Sequence, residues 1–136
     1  MIFNYCKLYL IFIFLPIGSF TQTFDEIFEL DKFHNGIKIY NKLKLSSDGT
    51  YHKKILNSGH QLESYEENGK WYKKGDTLYL QLERLIAFPE FPESKWKDFT
   101  REDVFLMKRR RIIPIYNQKK ALKFSLIRKN IKYANN

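Results

Sequence analysis

The groups from which an acid–base or metal site would have to be built are three histidines, His34, His52 and His60, and fifteen acidic residues. No two histidines stand at H-x-H or H-x-x-x-H spacing, so neither a strand nor a helix would bring a ligand pair onto one face. His52 and His60 flank the Asn57-Ser-Gly59 segment and could approach across a hairpin, where two exposed imidazoles on a sheet face are the simpler reading. No serine lies in a Gly-X-Ser-X-Gly elbow, and no glycine-rich phosphate loop occurs. Acidic neighbours such as Glu66-Glu67 and Glu102-Asp103 would point to opposite faces of a strand and could not share one substrate bond. These absences predict a non-enzymatic protein with no metal or other cofactor; a hydrolase using distant carboxylates is the catalytic form left open.

Binding chemistry is better represented. The formal charge is +9, which favours acidic partners. Lys108, Arg109, Arg110 and Arg111 form the densest cluster, and lysines at 38, 42, 44, 53, 54, 70, 73 and 74 extend it along the chain. With Tyr40, Tyr51, Tyr65, Tyr72 and Tyr79 beside them, they could form a platform for an anionic lipid or glycan; alternatively, lysine-rich strand faces simply keep an exposed sheet soluble. A second candidate is apolar: Trp96, with Phe88, Phe91 and Phe99, surrounds the proline-bearing segment Phe88-Pro-Glu-Phe-Pro92, and Trp71 and Leu80 on the strands are taken with them, although Trp71, following a tight turn, reads first as core. If that segment covers the mouth of a barrel, its aromatic residues would line a ligand cavity. Otherwise they seal the sheet.

The elements that must position these groups read as strands. Residues 1–7 contain Lys7 and no acid and run into an apolar stretch ending near Pro16 and Gly18, the layout of a signal peptide, with cleavage expected before Gln22. Residues 22–136 then form one domain, exported to the periplasm or beyond, with a formal charge of 9 − 1 = +8. Cys6, the sole cysteine, would leave with the signal, so the mature domain would have no disulfide and no thiolate.

Within that domain Ile37, Ile39, Leu43 and Leu45 alternate with Lys38, Tyr40, Lys42 and Lys44, the period-two signature of a half-buried strand. Asp48-Gly49 turns this strand back into residues 50–56; Asn57-Ser-Gly59 turns again, and Asn68-Gly69 predicts a third hairpin. Leu78, Leu80 and Leu82 mark the next strand, residues 84–101 read as one long loop, and alternation returns at 102–108, 112–116 and 122–126. Ahead of them, Thr23-Phe-Asp-Glu26 has capping-box spacing and predicts a short N-terminal helix or an irregular plug. The fold class is therefore all-β, an antiparallel up-and-down meander of about eight strands, closed as a barrel or left as an open β-sandwich.

Three of these segments, Leu43-Lys-Leu-Ser-Ser-Asp-Gly-Thr-Tyr51, Asn68-Gly-Lys-Trp71 and Gly75-Asp-Thr-Leu-Tyr-Leu80, together resemble the small lipocalin-like proteins exported by Bacteroidetes-type bacteria. Arg111-Ile-Ile-Pro-Ile115 and Phe124-Ser-Leu-Ile-Arg-Lys129 are similar to the last strands of such chains. The resemblance implies a lipocalin-like barrel that holds a small apolar or amphipathic ligand. It departs from true lipocalins in lacking a Gly-X-Trp element ahead of Ile37, and from lipoprotein members in lacking a cysteine after the signal.

Overall fold

A computed structural model describes residues 25–59, 62–88 and 95–129, apart from the side chains of residues 62, 63 and 88; the expected signal segment and Phe91 lie outside the described residues. Strands β1 (Glu26–His34), β2 (Ile37–Leu45), β3 (Thr50–Ser58), β4 (Leu62–Lys74), β5 (Thr77–Phe88), β6 (Lys97–Lys108) and β7 (Arg111–Tyr116) follow one another as antiparallel neighbours. The chain then makes a two-residue strand β8 (Lys119–Lys120) and a 3-10 turn at Leu122–Phe124, and ends in β9 (Leu126–Lys129). β9 pairs with β7 on one side and β1 on the other, while β6 pairs with both β5 and β7. The sheet thus closes into an eight-stranded antiparallel barrel, with β8 a short outlier against β7. Closure removes the unpaired edges that an open sandwich would leave.

Alternation sets which side chains fill the ring. On β2, Leu43 and Leu45 are buried while Lys42 and Lys44 face outward; on β5, Leu78, Leu80 and Leu82 are buried. With Phe28, Tyr51, Phe105, Ile112 and Leu126 they form the core, against which Leu30, Trp71 and Met107 also pack. Most of this core lies toward the end of the barrel that carries the turns at 46–49, 75–76 and 109–110. Trp71 belongs to that end: its indole Nε1 donates to the Ser46 carbonyl at 2.9 Å, and its backbone N–H donates to Gly49. The chain enters β1 and leaves β9 at this same end, since Ile27 pairs with Lys129.

The expected N-terminal helix or plug is replaced by a strand. Phe28 and Leu30 point inward while Glu29 and Asp31 point outward, where Glu29 meets Lys42 and Lys129, and Asp31 meets Lys38. Asp25, read as part of a capping box, instead accepts from the Ser47 backbone N–H and pairs with Lys44 at 2.7 Å. Pairing with both β2 and β9 outweighs a local helix signal, because the strand satisfies two ladders at once.

Asn68-Gly69 is also not a turn. Both residues lie inside β4, at a register shift opposite Leu82 and Arg84. The tight reversal with Asn-Gly chemistry is at Asn35-Gly36, where φ is +49° and +76°, the left-handed pair that a two-residue hairpin needs. The segment read as one long loop is shorter than expected, because β5 runs to Phe88 and β6 starts at Lys97.

Candidate functional site

At the end opposite the packed core the barrel interior is hollow. A cavity of ≈ 660 Å³ opens there, within the range of small-molecule pockets. Descending β2 from the mouth, the inward positions are Ile37, Ile39 and Asn41; on β3 they are Asn57, Ile55 and Lys53. Leu30 supplies the β1 wall, and Phe105, Pro114, Tyr116 and Phe124 the opposite one. The strand pattern explains the layering: below Asn41 come Leu43 and Leu45, and below Lys53 comes Tyr51, all buried core. Apart from Asn57 the walls are largely apolar near the mouth, polar at mid-height and apolar again beneath.

The polar level is a set of charges held inside the sheet. Lys53, 7% exposed, pairs with Glu67 at 3.3 Å and with Asp103 at 3.3 Å. Arg101 binds the same two carboxylates, donating from Nη2 to Glu67 at 2.8 Å and from Nε and Nη2 to the two Asp103 oxygens at 2.8 and 2.9 Å. Two cations and two carboxylates thus neutralise one another, which is how buried charge is tolerated. Burial by itself would raise the Asp103 carboxyl, but the forked Arg101 contact and the Lys53 ammonium hold it below the usual carboxylate range. Burial pushes the Tyr51 phenol up, reinforced by the negative charges of Glu67 and Asp103, so it stays protonated. Its hydroxyl and the Asn41 Oδ1 atom are sealed from solvent with no hydrogen-bond partner among the described residues. The Asn41 side chain lines the cavity, but this oxygen is closed off from it.

Three of the residues expected at the cavity, Leu80, Trp71 and Trp96, are placed elsewhere. Leu80 is fully buried in the core, and Trp71 packs at the closed end. Trp96 stands outside the lining, its ring 5.9 Å from the Arg84 guanidinium. Phe88 ends β5 with its side chain outside the described atoms. The lining instead comes from Ile37 and Ile39, whose alternation was legible, from Ile55, and from Asn41, Asn57 and Lys53, whose polarity hid their inward orientation. The signal that could have revealed Lys53 is its phase: it shares parity with Tyr51 and Ile55.

Lys108, Arg109, Arg110 and Arg111 surround the β6–β7 turn, all exposed and without a carboxylate in ion-pair range among the described residues. They sit at the closed end, away from the mouth. Most of the strand lysines are by contrast compensated: Lys38, Lys42, Lys44, Lys54 and Lys70 each meet an acidic side chain on the outer face. Glu66 accepts from His52 at 3.1 Å as well as pairing with Lys54, so this imidazole belongs to the outer ladder. Tyr72 and Tyr79 stack with ring centroids 4.7 Å apart.

An antiparallel eight-stranded barrel, packed at one end and hollow at the other, defines the class of the molecule by architecture. No protein-family profile, curated protein or solved structure matches the chain.

Proposed function

We propose that this protein is a non-enzymatic, exported binding protein that takes one small amphipathic ligand into the open end of its barrel. The observation that carries this reading is the ≈ 660 Å³ cavity, whose isoleucine walls descend to the Asn41 and Lys53 polar groups. An apolar chain would lie against Leu30, Ile39 and Ile55, and a polar group would reach the level of Asn41 and Lys53. The terminal location of the hollow favours binding and release without opening the sheet. A fluorescence titration with cis-parinaric acid tests it. The wild type should saturate at one probe per chain, and Ile55→Trp, which fills the cavity, should weaken binding by about tenfold or more. Equal affinity in the filled variant would refute binding in this cavity.

A second reading rests on the exposed, unpaired cluster at the β6–β7 turn, which could hold an anionic polymer at the closed end. Retention on heparin should then fall with salt and fall further when Arg109, Arg110 and Arg111 are replaced by Ser. Unchanged elution of the triple variant would remove this role.

A further inference from the structure

We infer that the rim of the cavity mouth is a docking surface for an anionic lipid bilayer, so that the barrel loads its ligand from the membrane; the loading clause rests on the ligand reading above, the docking surface does not. Four of the six exposed large apolar side chains among the described residues, Phe33, Ile37, Tyr116 and Leu122, lie at the mouth end of the barrel. Phe33 is 75% exposed, on the outer face of β1 as its penultimate residue, and Leu122 is 59% exposed on the β7–β9 connection. Exposed side chains of this size at strand ends and on a connection suit the boundary between head groups and acyl chains.

The charge on the β7–β9 side of the rim is positive. Lys119 and Lys120 are exposed on the same connection, and no acidic residue follows Asp103 anywhere in the sequence. Lys32 and Lys123 flank the Phe124 ring, 4.5 and 5.1 Å from its centroid, and Lys32 donates to the Lys123 carbonyl. None of these four lysines has a carboxylate in ion-pair range among the described residues, whereas the lysines of the β2–β3 wall are mostly compensated. Uncompensated ammonium groups interleaved with exposed apolar side chains match an anionic head-group layer, and a neutral or purely polar partner would leave one half of that pattern unused. Because Ile37, Tyr116 and Phe124 also line the cavity, its walls continue directly into the rim.

Co-sedimentation with vesicles of equimolar phosphatidylcholine and phosphatidylglycerol tests the assignment against vesicles of phosphatidylcholine alone. The wild type should bind the anionic vesicles far more tightly than the neutral ones. Lys119→Gln with Lys120→Gln should weaken that binding by roughly 20-fold, and Phe33→Ser with Leu122→Ser by about tenfold. Replacing Arg109, Arg110 and Arg111 by Ser, at the other end, should change it by less than about twofold. Circular dichroism and melting establish that each variant is folded. Rim variants that bind vesicles like the wild type, or an arginine variant that alone loses binding, would overturn the docking surface. Since none of the substituted residues lines the cavity, binding of soluble cis-parinaric acid should survive in the rim variants. A wild type that binds vesicles through the rim but takes up no probe would leave docking standing and defeat the ligand reading alone.

Discussion

Replacing Lys53 by Met should cost roughly 3–5 kcal/mol of folding stability, because it leaves Glu67 and Asp103 in the barrel interior with one cation between them. Lys53 and Glu67 are both nearly inaccessible, with side-chain exposures of 8% and 3%, so the lost partner was compensating largely desolvated charge. Arg101 is more exposed and remains to hold both carboxylates, which keeps the variant from losing its fold altogether. The double change Lys53→Met with Glu67→Gln should recover much of the loss, since it removes a charge of each sign. Chemical denaturation of the two variants beside the wild type measures the difference, and a Lys53→Met variant within about 1 kcal/mol of wild type would show that the four charges are solvated rather than interdependent.

Substituting Gly69 by Ala is expected to lower stability by about 3 kcal/mol, near the upper end of what overpacking does. A Cβ at this position would stand 2.0 Å from the Gln81 carbonyl oxygen and 2.8 Å from Cε1 of Tyr51. A backbone oxygen on the adjoining strand cannot rotate away as a side chain can, so the β4–β5 ladder must shift. The Tyr51 ring occupies the space in front of Gly69, its cross-strand partner, and the substitution should therefore displace a core aromatic as well. Thermal melting should show a decrease on the order of 10–15 °C for a domain of this size. A melting temperature unchanged within a degree or two would mean that the close approach at this point is not sustained in solution.

Gly69 also shows where the sequence could be misread. Asn-Gly is a turn signal because both residues tolerate positive φ, but a glycine also occurs where a neighbouring ring needs the room of a missing side chain. The chain contains both uses. Asn35-Gly36 makes the hairpin, and Asn68-Gly69 accommodates Tyr51 inside a long strand. The all-β meander and its antiparallel order were legible because alternation at Ile37–Leu45 and Leu78–Leu82 is clean and the Asp48-Gly49 and Lys74-Gly75 reversals are local. The expected total of about eight strands matches the ring through two cancelling differences: β4 joins what read as two strands, and β1 replaces what read as a helix or plug. β1 was hidden because its pairing partners, β2 and β9, are separated along the chain and only closure brings β9 to it.

The candidate site was less legible for a related reason. Hydropathy marks a position as inward when it is greasy, yet half of the distinguishing chemistry of this interior comes from Asn41, Lys53, Glu67, Arg101 and Asp103. Their inward orientation follows from strand phase and from one another, through contacts spanning up to 50 residues between Lys53 and Asp103. Leu80 was marked as inward-facing by its alternation with Leu78 and Leu82, but nothing in a local pattern distinguishes the packed half of a barrel from its hollow half. That distinction depends on which large side chains meet across the ring.

The described chain both starts and finishes at the sealed pole, where Ile27 faces Lys129 across the β1–β9 seam. A group joined directly at Lys129 would leave from that pole, away from the aperture. Held to a surface at that residue, the barrel would present its opening to the surrounding medium.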